Sequence, residues 1–175
     1  MIKLAGIPLL SLCLALTAGA ALSATNKTVS GGGDLVFSPP DMPEMVQAEA
    51  EARRTLPLFW RWLSQQKPDQ PGFIVKVGFP ITQPVKSVEF MWINHLKRDG
   101  DTVTGMLDQV PDFRRDLKYR QTVSFKESQI VDWAIRYKGR QYGHFTTRAL
   151  IKGHPKEGAA LKTILSDDPY PPGFK

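Results

Sequence analysis

VEFMWINHLKRDGDTVTGML, Val88 to Leu107, is the stretch whose reading decides the fold. Val88, Phe90 and Trp92 alternate with Glu89, Met91 and Ile93, which is the period of a half-buried strand. Asp99-Gly100 follows. Asp-Gly between two alternating runs signals a hairpin, because both central residues of a type I′ turn need positive φ. The return strand is expected over Thr102 to Leu107, with Val103, Gly105 and Leu107 on one face.

Downstream, DQVPDFRRDLKYRQ is charged and contains Pro111, so it reads as a loop with at most one helical turn. Strand patterns resume at Thr122, Val123 and Phe125 and run through Ile130 to Ile135. Lys138-Gly139-Arg140 offers a second turn and Gln141 to Phe145 a last strand. Thr146 or Thr147 is expected to cap a short helix over Arg148 to Lys152, with Gly153 at its stop. The tail from His154 to Lys175 is expected to pack extended, with Ala159 to Leu165 able to form a helix.

Upstream, Phe73, Val75, Val77 and Phe79 alternate with Ile74, Lys76 and Gly78 and form the first strand. A helix is expected from Asp41, with Asp41 and Glu44 as a capping box. Met45, Ala48, Ala52, Leu56, Phe59 and Leu63 follow at helical spacing. Pro57 should kink this helix or split it near Thr55. Trp60 and Trp62 cannot both face the core of one helix, so one of them is expected to be partly exposed. The elements sum to an α+β domain: an N-terminal kinked helix on a curved, mostly antiparallel sheet of five or six strands. A partly closed barrel is the alternative.

The chain has 175 residues, 42% hydrophobic and 23% charged, enough for one globular core, and a formal net charge of +6. Lys3, the apolar run Leu4 to Leu16 and the small residues around Ala21-Leu22-Ser23 read as a signal peptide over 1–23, cleaved before Ala24. Residues 24–40, with three consecutive glycines and Pro39-Pro40, read as a leader, and 41–175 as a single domain. A periplasmic or secreted protein is expected. Cys13 is the only cysteine and lies in the signal segment, so no thiolate chemistry is available after cleavage.

From Ala48 to Leu150 the chain resembles a bacterial family of unknown function that includes YegJ. The pieces that carry the resemblance are Ala52…Leu56-Pro57…Phe59, Phe73 to Val77, Glu89-Phe90-Met91-Trp92 and Asp99-Gly100. Gly105-Met106-Leu107-Asp108…Pro111, Ser128 to Trp133 and Gly143…Thr146-Thr147-Arg148 complete the set. The resemblance implies an exported or standalone bacterial domain and brings no catalytic residues. Similar proteins often have a Gly-Asp turn where this chain has Arg120-Gln121.

His95, His144 and His154 are isolated and match no metal-binding spacing, so no metal and no cofactor is expected. No Gly-x-Ser-x-Gly elbow supports a serine nucleophile. Glu89, Asp108 and Asp132 sit beside apolar strand residues, where desolvation raises a carboxyl pKa, and they are the candidates for acid–base catalysis in a small envelope hydrolase. The plainer reading is that Asp132 accepts backbone N–H bonds at a strand end or pairs with Arg148. Arg114, Arg115, Lys118 and Arg120 form a basic loop. Export argues against nucleic acid as its partner, which leaves an envelope protein or an anionic envelope polymer. The sequence therefore points to a non-enzymatic binding protein using Glu89, Trp92, Arg114, Arg115 and Arg148. An inhibitor or immunity-type partner of an exported protein is a variant of that reading.

Overall fold

The computed structural model describes residues 42–65, 72–81, 87–156 and 158–174. The expected signal peptide, leader and Asp41 lie outside them. The first element is helix α1, Pro43–Ser64. Its N-cap is Met42, which makes no side-chain cap, and Pro43 occupies the first turn. The expected capping box is therefore replaced by a proline whose missing N–H is one of the unpaired donors of any helix start. Pro57 does not split the helix, which runs unbroken to Ser64. Pro57 itself is exposed.

Six strands follow: β1 Phe73–Ile81, β2 Ser87–Asp99, β3 Thr102–Leu107, β4 Thr122–Lys126, β5 Ile130–Tyr137 and β6 Arg140–Gly143. They form one antiparallel sheet in the order β4-β3-β2-β1-β5-β6, which does not close into a barrel. Helix α2 (Phe145–Gly153) and helix α3 (Ala159–Ile164) complete the chain order.

The alternation read from the sequence sets the faces. Phe73, Val75, Val77, Phe79, Met91, Ile93, Val103, Leu107, Val123 and Phe125 are buried and pack with Ala52, Leu56 and Phe59 of α1. Ile74, Lys76, Trp92 and Asp132 project from the other face, because Lys76 pairs with Trp92 on one side and with Asp132 on the other. Trp60 is buried and Trp62 half-buried, as two adjacent-face tryptophans require.

Trp133 joins helix to sheet. It is fully buried, and its Nε1–H donates to Ala52 O at 3.1 Å and Thr55 Oγ1 at 3.0 Å. The Thr55 hydroxyl donates in turn to Glu51 O. Phe59, Phe145 and Phe174 pack around the Trp133 ring at centroid distances of 5.7, 5.2 and 5.1 Å. Phe174 shows that the tail is part of the core.

Two turns carry the hairpins. Asp99 pairs with Thr102, so the turn residues are Gly100 and Asp101, and φ is positive at Gly100 alone. Glycine leads this turn, one position later than the Asp99-Gly100 reading. In the β5–β6 turn, Lys138 and Gly139 both have positive φ. β2 is longer than expected because a bulge between Asn94 and Lys97, with His95 at φ 50°, lets the pairing continue.

The two edges of the sheet differ. Gln141 bridges Leu165, Ser166 N donates to Gln141 O, and Gly143 N donates to Pro169 O. Arg140 reaches Thr163 O and Leu165 O. The C-terminal segment thereby seals β6. β4 has no strand beyond it among the described residues.

Candidate binding loop and the buried carboxylates

Glu89 lies on the α1 side of β2 and is buried. Its carboxylate accepts hydrogen bonds from three consecutive backbone N–H groups, Asp112 at 2.6 Å, Phe113 at 3.3 Å and Arg114 at 2.8 Å. The loop between β3 and β4, residues 108–121, is thus wrapped round a carboxylate. Further bonds fix it. Trp92 N donates to Gln109 Oε1, Asp108 N to Trp92 O, and Arg120 N to Leu107 O. Lys118 N donates to Gln121 Oε1.

Arg114 belongs to this scaffold. It grips Asp116 through two bonds and donates to Pro80 O. The Arg114 hydrogen bond holds the Asp116 carboxyl below the usual range. Arg115, Lys118 and Arg120 remain exposed, with Val110 at 72% and Tyr119 at 52% exposure beside them. The loop is fixed from inside and presents three cations with two apolar groups outward.

Asp132 projects from the opposite face and is fully buried. Its Oδ1 accepts from Trp133 N and Phe145 N, and its Oδ2 from Thr146 N at 2.8 Å and Thr146 Oγ1 at 2.6 Å. The carboxylate caps α2. This overturns the expected Thr146 or Thr147 cap: α2 starts at Phe145, three residues before the expected Arg148, after His144 in the left-handed conformation, and His144 makes no side-chain cap. Lys76 Nζ donates to Thr146 Oγ1 and lies 5.8 Å from the centroids of both Phe90 and Trp92. Burial pushes the Lys76 ammonium down, and Asp132 pulls it back. Burial pushes Asp132 up, against the Thr146 hydroxyl, Lys76 and the backbone donors.

The His144 ring meets the Trp92 ring at 4.9 Å, and its Nε2 lies 3.1 Å from Gln141 Oε1. An amide oxygen accepts, so Nε2 carries the proton and Nδ1 is a buried acceptor without a partner among the described residues. Burial first, then Arg148 and Lys76, lower the His144 pKa to about 4. Arg148 donates to Gly143 O and does not bond Asp132 directly. Asp108 is exposed at the end of β3.

The candidate residues thus separate. Glu89 and Trp92 stand three positions apart on one strand and face opposite sides, so they do not form one contact surface. Glu89 and Asp132 also face opposite sides. Carboxylate-pair hydrolysis needs two carboxyl groups flanking one bond, and these two do not flank a common space. Among the described residues no three His, Cys, Asp or Glu side chains group to hold a metal ion. Lys76, Thr146 and His144 went unnoticed as a cluster. The available signal was a lone lysine inside the apolar run Phe73 to Phe79.

The architecture is an α+β domain built on an open antiparallel sheet, with carboxylates that organise backbone. A family model described as "Uncharacterized protein conserved in bacteria (DUF2314)" matches residues 42–160, and the chain belongs to that family. It is also 29% identical over 109 residues to the "Putative ankyrin repeat protein" of Neisseria meningitidis serogroup B. That match covers 59% of this chain and 43% of the relative, so the chain spans less than half of the relative's length. No solved structure matches the chain. Among the described residues no helix is long and apolar enough to cross a membrane.

Proposed function

We propose that the protein is a non-enzymatic binding module of the bacterial envelope, and that the loop 108–121 is its docking element. The observation that carries this reading is the Glu89 carboxylate, whose acceptor capacity goes to three backbone N–H groups of the loop. A carboxylate so used is withdrawn from acid–base work and preorganises a recognition loop, which lowers the ordering cost of binding. The partner is anionic, either an acidic envelope protein or an envelope polymer. Arg115, Lys118 and Arg120 steer it, and Tyr119 and Val110 add apolar contact. An inhibitor or immunity-type role is the case in which that acidic partner is an exported protein. Periplasmic or secreted placement, and kinship with the branch that includes YegJ, belong to the same proposal and rest on residues 1–23 and the motifs quoted above.

The test is affinity capture of partners from envelope extract with the tagged protein, followed by mass spectrometry. Capture should weaken as salt rises and in an Arg115→Glu/Lys118→Glu variant that keeps wild-type stability. Arg114 is left intact because it holds the loop together. Capture indifferent to both salt and charge reversal removes the loop from the site. Turnover of an envelope substrate, lost in Glu89→Gln or Asp132→Asn at unchanged stability, would replace the binding reading by a hydrolase.

A further inference from the structure

The opposite end of β3 holds a second feature. A cleft of about 500 Å³ opens between the last turns of α1 and the far end of the β2–β3 hairpin. It is lined by Trp60, Leu63, Ser64, Leu96, Arg98 and Gly100. Its origin is local. β2 has 13 residues and continues past the bulge at Asn94 to Lys97, while α1 stops at Ser64. The hairpin tip turns at Gly100, where an added Cβ would meet nothing within 4 Å. The volume falls in the range of small-molecule sites.

The walls are built for a molecule with two different ends. Trp60, Leu63 and Leu96 supply apolar surface. The Arg98 guanidinium lies 5.5 Å from the centroid of the Trp60 ring. Its Nε pairs with Glu127, and its two Nη groups have no partner among the described residues. Trp60 is only 8% exposed, and its Nε1–H is buried with no hydrogen-bond partner among the described residues. Trp133, the other deeply buried tryptophan, has two acceptors for the same group. A buried donor left unpaired is uncommon and calls for an acceptor. Arg98 lies over the Trp60 ring with a side chain that is 44% exposed.

We propose that this cleft binds a small amphipathic carboxylate. Its hydrocarbon or aromatic body lies along Trp60, Leu63 and Leu96. Its carboxylate takes the Arg98 Nη groups, drawing the guanidinium off the Trp60 ring, and accepts from the Trp60 N–H that this movement uncovers. β3 spans six residues, on the order of 20 Å, between this cleft and the start of the loop 108–121. The two sites are therefore separate, and the cleft does not depend on the binding role of the loop.

The probe is sodium octanoate against 1-octanol, titrated into the full chain and followed by the indole N–H signals in ¹H–¹⁵N NMR. Octanoate should move the Trp60 indole signal and bind roughly tenfold tighter than the alcohol, the worth of one charge-assisted hydrogen bond. Arg98→Gln should remove that preference. Leu96→Trp, which narrows the cleft along its apolar wall, should weaken octanoate binding while the Trp133 indole signal stays at its wild-type position and reports an intact fold. No movement of Trp60 up to millimolar octanoate, equal binding of acid and alcohol, or an Arg98→Gln variant that still prefers the acid would each overturn the proposal.

Discussion

Asp132 on β5 and Thr146 on α2 are joined twice, through the Thr146 backbone N–H at 2.8 Å and its hydroxyl at 2.6 Å, both to Oδ2. A strand carboxylate thus does the work of the helix's own N-cap. It also satisfies Phe145 N–H and faces Lys76 across Thr146. Asp132→Ala should cost on the order of 3–5 kcal/mol, because buried donors and a buried ammonium lose their counterpart together. Asp132→Asn should cost less. In a double-mutant cycle by urea unfolding, Lys76→Met should be milder on the Asp132→Asn background than alone. Additive costs would show that Lys76 and Asp132 are independent.

Glu89→Ala should destabilise the domain by on the order of 3 kcal/mol, since three loop N–H groups lose one acceptor. The informative readout is local. Amide exchange at Asp112 and Arg114 should quicken far more than at Trp133. Uniform acceleration across all three would mean that the loop has no separate stability of its own.

His144 makes stability depend on pH. Its pKa of about 4 lies below the unfolded value of 6.5 because burial, Arg148 and Lys76 disfavour the cation. Between those values the unfolded chain binds the extra proton, so this contribution is complete above pH 6.5 and is lost as pH falls toward 4. The loss should approach about 3 kcal/mol. His144→Asn should flatten the curve between pH 6.5 and 4, and an unchanged slope in that variant would refute the assignment.

Gly143 has φ 71°, and a Cβ there would lie 2.3 Å from Trp133 O and 2.6 Å from its ring. Gly139 has φ 76° and open space around it. Gly143→Ala should therefore cost at least about 3 kcal/mol, by overpacking added to backbone strain, while Gly139→Ala should cost about 1–2 kcal/mol from strain alone. Thermal unfolding of the two variants side by side separates the terms.

Period-two alternation made the strands legible. β3 and β4 lie where the side chains predict them, and β5 differs only at its C-terminal end. The cap of α2 was not legible, because its acceptor stands 14 residues upstream and arrives only when β5 pairs with β1. The sequence leaves open whether Pro57 kinks or splits α1; the helix runs on through it, with Ala52, Leu56 and Phe59 packed on the sheet on either side. For the site, Glu89, Asp132 and the basic loop stand out in the sequence as unusual residues. Their grouping was not. The odd spacing of Glu89 and Trp92 already places them on opposite faces, and the distant donors come from the 108–121 loop for Glu89 and from the first turn of α2 for Asp132, whose approach no local pattern specifies.

A sheet whose β6 side is closed by its own C-terminal segment, and whose β4 side has no further strand among the described residues, has within those residues a valence of one. Backbone ladders add along a single direction only. If two copies met edge to edge, each would consume the other's one open side and growth would stop there. The geometry thus permits a closed pair through the sheet and withholds the open-ended series from which fibres are made.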